Sequence, residues 1–137
     1  MDLAARAVVV HGLEDACAAL AAARELGVPV ALWSAPGAGR YAGAGWFAAL
    51  VAEAEVAEPG MTFTAVLDCG DDAGAASAAL RSGIRCVRYA GTHTVRRKLE
   101  DIASRLGAEI VPRRPECFDP HSAREPASDL RVWLQRP

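Results

Sequence analysis

Short apolar runs and longer periodic segments alternate along the chain. The runs 7–10, 30–33 and 65–67 contain no polar position, which is typical of parallel strands that are covered on both faces. Between the runs, apolar residues recur at helical spacing, most clearly over 95–106, where charged residues occupy the other side. This pattern predicts strands near residues 6–11, 29–34, 62–69, 84–90 and 108–111, and helices near 13–26, 45–57, 72–82 and 93–106.

The order of these elements predicts the fold class. Strict β–α alternation with crossovers of this length favours a single α/β domain, in which a mainly parallel sheet of about five strands carries helices on both faces. A flavodoxin-like or Rossmann-like strand order and a half-barrel of βα repeats both fit the pattern. A closed (βα)8 barrel does not fit, because it needs about 200 residues or more and the chain has 137.

The character of the sequence changes at Pro112. Prolines at 112, 115, 120 and 126 disfavour regular structure, so we expect an α/β domain over 1–111 and a proline-rich tail over 112–137. An apolar turn near the end of the tail would form an unusual patch if it were exposed on a monomer; it contains Leu130, Val132, Trp133 and Leu134. The tail can dock on its own domain or, across a two-fold axis, on a partner subunit. We favour the second alternative and expect a homodimer.

Composition and charge narrow the class of protein. Hydrophobic residues make up 52% of the chain and charged residues 23%, which is the balance of a folded domain. The net charge of −2 provides no basic field for nucleic acid or an anionic membrane. No apolar stretch reaches the roughly 18 residues of a membrane span, and the first residues lack a signal-peptide pattern. We therefore expect a cytoplasmic protein with no nucleic-acid or membrane partner.

The four cysteines are expected to be structural. Cys17, Cys69, Cys86 and Cys117 form no CxxC pair, and no histidine stands at zinc-finger spacing from them. In a cytoplasmic protein such residues are buried, reduced thiols.

Polar residues cluster where the predicted strands end. In a parallel sheet the carboxyl ends of the strands share one edge, and ligands bind there because loops and helix N-termini converge on it. The residues on this edge are His11 after the first strand, Ser34 after the second, Asp68 and Asp71 after the third, and Gly91, Thr92, His93 and Thr94 after the fourth.

This edge predicts a site for a small anionic metabolite, with phosphorylated compounds as one class that fits. The backbone N–H groups of Gly91, Thr92 and Thr94 lie at a predicted helix N-terminus, which attracts anions. Ser34 adds a hydroxyl group, and Arg40, in the glycine-rich loop 37–45, adds a guanidinium that can clamp an anion. Arg88 is a second source of positive charge.

Asp68 is the leading candidate for chemistry at this edge. A carboxylate that ends an apolar run is costly to bury without a partner. In an enzyme, Asp68 would form a general acid–base pair with His11 or His93. A divalent metal on Asp68 and Asp71 is an alternative. Helix capping is the competing explanation for Thr92, so the sequence does not decide whether the protein is an enzyme.

The glycine-rich loop does not indicate a nucleotide cofactor. Residues 37–45 contain a GxGxx[GA] pattern, but they follow the second predicted strand, whereas the dinucleotide fingerprint follows the first. The pattern GxxxxGK[ST] is absent.

Three segments resemble parts of the phosphate-binding (βα)8 barrels, which include the ribulose-phosphate-binding barrels and the keto-deoxy-phosphogluconate type of aldolase. They are Leu67–Gly70, Ala79–Ile84 and Ala90–Thr92. The resemblance covers roughly residues 5–111 at the level of the fold and implies a half-barrel. Lys98, the only lysine, lies in a predicted helix rather than on a strand, so Schiff-base aldolase chemistry is not implied.

Asp68 and Thr92 also resemble two positions of the response-regulator receiver domains. In that (βα)5 family a phospho-accepting aspartate ends strand 3 and a hydroxyl residue ends strand 4. The resemblance implies an alternative function, a non-catalytic regulatory or protein-interaction domain. His11 and Gly12 replace the acidic pair of that family, and no lysine ends the fifth strand, so magnesium-dependent phosphotransfer is not implied.

Overall fold

The structure, a computed structural model, describes residues 2–137 and contains one parallel sheet of six strands. Four of the helices begin and end within one residue of their predicted positions. The elements are β1 (Arg6–Val9), α1 (Leu13–Leu26), β2 (Val30–Trp33), α2 (Ala38–Tyr41), α3 (Ala44–Ala57), β3 (Thr64–Asp68), α4 (Ala73–Arg81), β4 (Cys86–Arg88), α5 (His93–Leu106), β5 (Glu109–Val111), β6 (Cys117–Phe118) and α6 (Pro126–Leu134), with a 3-10 turn over Pro120–Ser122. The α/β class and the parallel sheet are confirmed.

Local sequence signals explain where the long helices end. Gly27 and Gly107 follow α1 and α5 with φ values of 67° and 70°, in the left-handed region that side chains with a Cβ disfavour. At the other end of α5, the hydroxyl oxygen of Thr92 accepts a hydrogen bond from the backbone N–H of Val95. Glycine at the end and threonine at the start therefore fix α5 in the chain.

The helices lie on one face of the sheet, not on both as expected. The strand order is β5-β4-β3-β2-β1-β6, so consecutive strands from β1 to β5 are neighbours, and right-handed crossovers return each helix to the same side. The buried residues of α1, α3, α4, α5 and α6 all belong to one hydrophobic cluster. Helices therefore pack side by side in the order α6, α1, α3, α4 and α5. This is the arrangement of the half-barrel alternative.

The face without helices has a core of its own, made largely of small side chains. Its buried members are Ala5, Ala7, Ala31, Trp33, Val66 and Cys86, with Val111 and Cys117 packed against them. These strand residues alternate with those that face the helices, as the pleat of a strand requires. Trp33 is the one large side chain among the buried members.

The sheet is curled around this small-residue face. β5 and β6 lie at opposite edges, about 24 Å apart if the sheet were flat. The six Cα steps from Val111 to Cys117 span at most about 22 Å. Cys117 pairs with Ala7 of β1, closer to the amino ends of the strands than Val111, so the connection must also run back along the sheet. The edges must therefore approach each other. Residues 112–116, called the strap below, cross between them on the concave face.

The tail is part of the domain, which corrects the expectation of an irregular segment over 112–137. β6 extends the sheet beside β1, and α6 begins at Pro126, where the missing N–H costs nothing. The indole N–H of Trp133 donates a 3.0 Å hydrogen bond to the carbonyl of Ala7. Leu130, Trp133 and Leu134 are buried. The tail therefore docks on its own chain. Its apolar turn is covered there and is no longer a reason to expect a homodimer.

Two further expectations concern thiols and membranes. Cys17, Cys69, Cys86 and Cys117 are free cysteines. None of the helices within residues 2–137 combines the length and the apolar character that a bilayer crossing requires.

Candidate functional site

Two arginines converge on one buried carboxylate at the carboxyl edge of the concave face. Asp68 of β3 and Arg88 of β4 lie opposite each other in the sheet. They follow Val66 and Cys86 of the small-residue core by two residues, so both side chains point to the concave side. The strap brings Arg114 to the same place. The Asp68 Oδ2 atom lies 3.2 Å from Arg88 Nη1 and 3.0 Å from Arg114 Nη1. Asp68, Arg88 and Arg114 are called the arginine cluster.

Asp68 has no free surface, and its oxygens are already engaged. The side chain is 0% exposed, and Oδ1 also accepts a 2.8 Å hydrogen bond from the backbone N–H of Gly70. The backbone N–H of Asp68 donates to Ser34 Oγ at 2.8 Å. Two guanidinium groups and one backbone N–H surround this carboxylate, so the geometry favours a role for Asp68 in orienting the two arginines.

The arginine cluster carries one more positive than negative charge. The side chains of Arg88 and Arg114 are 21% and 15% exposed, so neither arginine is completely shielded from solvent. Within residues 2–137, Arg88 Nε is buried and has no hydrogen-bond partner, although the large majority of buried side-chain polar atoms have one. Arg114 lies over the ring of Trp33, 5.3 Å from its centroid. Spare donors and net positive charge make this cluster suited to an anion.

A second polar cluster lies two strands away, beside β1 and β6. His11 Nε2 is 2.9 Å from Asp119 Oδ1, and His121 Nε2 is 3.4 Å from Asp15 Oδ2. Each carboxylate also accepts a backbone N–H from the other pair: Asp15 from His11 at 2.8 Å, and Asp119 from His121 at 2.9 Å. The two imidazoles stack with centroids 3.9 Å apart. These four residues, called the histidine clasp, join the chain after β6 to the start of α1.

The surroundings of Asp119 and Cys69 shift the pKa values of these two groups in opposite directions. Burial alone would raise the pKa of Asp119, but hydrogen bonds from the His11 ring and the His121 backbone, with the charges of both histidines, outweigh it and lower the pKa. Burial, with the negative charges of Asp68 and Asp72, raises the pKa of the Cys69 thiol to about 12. Cys69 therefore remains a thiol near neutral pH and fits the structural role expected of it.

The other predicted site residues lie around the edge but do not join the arginine cluster. His93 is exposed, with its Nδ1 atom 3.0 Å from Arg96 Nη2. Thr94 is exposed, and Thr92 caps α5. Gly91 has a packing role, because a Cβ there would lie 2.0 Å from the hydroxyl oxygen of Tyr89. Neither His11 nor His93 is hydrogen-bonded to Asp68 in the part of the chain that the structure describes.

Arg40 and Asp71 lie on a more open part of the same edge. Arg40 is 3.9 Å from Asp71 Oδ1 and 3.7 Å from Asp72 Oδ2, and the Asp71 side chain is 76% exposed. Together with neighbouring residues of the glycine-rich loop, Arg40 and Asp72 line an open cavity of about 500 Å³. Arg40 therefore faces two carboxylates, so this group carries one more negative than positive charge, in contrast to the arginine cluster.

The metal hypothesis gains no geometric support. Asp68 and Asp71 have different partners, and Asp68 has arginines where a metal ion would need open coordination sites. Across residues 2–137 the structure contains no group of three or more His, Cys, Asp or Glu side chains arranged to hold a metal ion. In the histidine clasp, each imidazole Nε2 faces a carboxylate instead of a shared point.

Sequence reasoning missed Arg114, Trp33, Asp119 and His121. Trp33 is the last residue of an apolar run, and its role was hidden because such a run looks like core. Arg114 stands between two prolines, where local patterns indicate only an irregular segment. The short spacings from His11 to Asp15 and from Asp119 to His121 are a sequence signal for two His/Asp pairs. Nothing in the local sequence shows that these two pairs contact each other in the folded protein.

The geometry also bears on the receiver-like alternative. A phospho-accepting aspartate needs an accessible oxygen, whereas Asp68 is buried beneath two arginines. When the chain is compared with protein-family models and with curated protein sequences, no match is found.

Proposed function

We propose that this protein binds a small anionic metabolite, of the phosphate-bearing class, at the carboxyl edge of its curled sheet. The arginine cluster carries the proposal. Two arginines share one carboxylate, and both of their side chains are partly exposed. The buried Nε–H of Arg88 has no acceptor among residues 2–137. Such a cluster gains favourable contacts when an anion supplies further oxygen atoms.

The position of the cluster supports the same proposal. Ligands of parallel α/β sheets bind outside the carboxyl ends of the strands, and the cluster lies at the ends of β3 and β4. The N-terminus of α5 follows β4 closely and so belongs to the same edge of the sheet, where helix N-termini attract anions.

We assign Asp68 a positioning role. Its two oxygens accept four hydrogen bonds, two from Arg88 Nη1 and one each from Arg114 and the backbone N–H of Gly70. These contacts fill the roughly four acceptor positions of a carboxylate. If the protein is an enzyme, His11 is the better candidate for proton transfer, because Asp119 orients its ring and it remains partly exposed. Acid–base chemistry is thus the secondary part of the proposal.

Isothermal titration calorimetry with inorganic phosphate, and then with small phosphate monoesters, tests the proposal. We expect saturable binding that falls by about tenfold or more in Arg114→Gln, because a charged donor is lost. Arg113→Gln is the matched control: it neutralises an exposed arginine in the same strap, so its affinity should equal that of the wild type. Thermal unfolding should shift upward with ligand in the wild type and in this control.

Two results would contradict anion binding. One is the absence of saturable binding by any phosphate compound. The other is an equal loss of affinity in Arg113→Gln and Arg114→Gln, which would indicate diffuse charge rather than a site. In either case the receiver-like alternative becomes the better hypothesis, and recovery of a defined protein partner through the native domain would support it.

We also propose that the protein is a cytoplasmic homodimer. Its free cysteines suit a reducing compartment, and Val56 and Val132 are 81% and 61% exposed apolar side chains that association would cover. Light scattering during size-exclusion chromatography tests the dimer. A monomeric mass across the accessible concentration range would overturn it.

A further inference from the structure

The strap depends on few contacts for its path across the concave face. Residues 112–116 contain no helix or strand, yet Arg114 must reach both Asp68 and the ring of Trp33. Ordering such a segment costs conformational entropy at every residue. Its path is therefore determined by the points at which its two ends are fixed.

We propose that the histidine clasp is the anchor that places Arg114, so that His11, Asp15, Asp119 and His121 are positioning residues of the anion site. The clasp lies directly after β6 and holds the far end of the strap. This inference deepens the proposed function and rests on it for the ligand. It assigns a role to a cluster that does not belong to the arginine cluster.

The first step of the argument concerns the weakness of β6. This edge strand has two residues, paired with Ala7 and Val8 of β1, and so short a strand contributes little stability on its own. Asp119 is the next residue, where it accepts hydrogen bonds from the His11 ring and the His121 backbone. The clasp therefore supplies an anchor that β6 alone lacks.

The second step concerns what the clasp is attached to. His11 follows β1, and Asp15 lies in the first turn of α1. Val10 and Ala16, next to these residues, are both completely buried in the main core. The reciprocal arrangement ties the strap to this rigid part twice, through the pair His11 and Asp119 and through the pair His121 and Asp15. Each carboxylate contacts both histidines, so replacing one of the four residues weakens both pairs.

The third step connects the anchor to the anion site. At its other end the strap continues from Val111, the last residue of β5, which pairs with Arg88. If the clasp opens, the nearest anchor left at the far end of the strap is the two-residue strand β6, and the docked helix α6 lies further along the chain. Arg114 is then held less firmly in the position from which it contacts Asp68. The expected consequence is weaker anion binding together with a more accessible Trp33 ring.

The test compares His11→Ala with His11→Gln. Alanine removes the donor to Asp119, whereas the Nε2 group of glutamine can donate in its place. Glu25→Gln is the control, because it breaks the 2.9 Å ion pair with Arg131, a different contact between the C-terminal segment and α1. The readouts are phosphate affinity by calorimetry and acrylamide quenching of Trp33, which is identified as the signal that Trp33→Phe removes.

We expect His11→Ala to bind phosphate about tenfold more weakly and to show stronger quenching of Trp33. His11→Gln should restore both values, and Glu25→Gln should leave both unchanged. Wild-type quenching in His11→Ala, or the same changes in Glu25→Gln, would overturn the inference. If His11→Ala does not fold, His121→Ala takes its place, since that ring is 60% exposed.

Failure of the proposed function gives a different result. If the wild type binds no phosphate compound, the calorimetric arm fails for every variant, and anion binding is wrong. The quenching of Trp33 then still decides whether the clasp positions Arg114, because it requires no ligand.

Discussion

The arginine cluster and the histidine clasp both attach the same C-terminal segment to the same edge of the sheet, but they differ in burial. Asp68 is 0% exposed and is neutralised by two guanidiniums, whereas the clasp residues reach water through side chains that are 16% to 60% exposed. Solvent screens charges at partly exposed sites and does so far less at buried ones. The comparison teaches that similar ion pairs have very different energetic weights, depending on what surrounds them.

Asp68→Ala should have the largest effect, because it leaves two guanidiniums against an apolar core without their carboxylate. Breaking a buried ion pair from one side typically costs about 3–5 kcal/mol, and we expect a decrease of that size in the free energy of unfolding, measured by urea denaturation. Asp71→Ala removes a mostly exposed carboxylate three residues away and should cost less than about 0.5 kcal/mol. Equal losses in the two variants would show that burial does not separate the sites.

Asp119→Asn should have an intermediate effect that depends on pH. The folded state lowers the pKa of Asp119, so its contribution to stability is present above its unfolded pKa and is lost as pH falls through the folded value. Near neutral pH we expect the substitution to cost about 1 kcal/mol. Urea denaturation of both proteins from about pH 7 down to about pH 3 should show the difference shrinking in acid. A difference that is constant or grows in acid would contradict the assignment.

Arg40→Ala should have the smallest effect. Its contacts with Asp71 and Asp72 are 3.9 and 3.7 Å long, and the arginine side chain is 59% exposed. Exposed pairs of this kind contribute between 0 and about 1 kcal/mol, so we expect a change below about 0.5 kcal/mol in urea denaturation. A loss as large as that of Asp119→Asn would mean that the glycine-rich loop is held by Arg40 more firmly than its geometry indicates.

Helix positions were predictable because their signals are local. Gly27 and Gly107 end helices through a backbone conformation that depends on the residue itself, and Thr92 caps α5 through a neighbour three positions along the chain. Asp68 was also identifiable, since a carboxylate after an apolar run needs a partner wherever the strand lies. The identity of that partner was less accessible, because Arg114 is 46 residues away from Asp68 in the sequence.

The sequence by itself determined the alternation of strands and helices, the parallel sheet and the polar residues at its carboxyl edge, because periodicity, capping and turn chemistry act over a few residues. Tertiary structure alone decided that the helices cover one face, that the sheet curls, and that the strap crosses it. Those features depend on which strands become neighbours, and on contacts such as Arg114 with Trp33 and His121 with Asp15. Such contacts form only after distant segments have packed, so no local pattern encodes them.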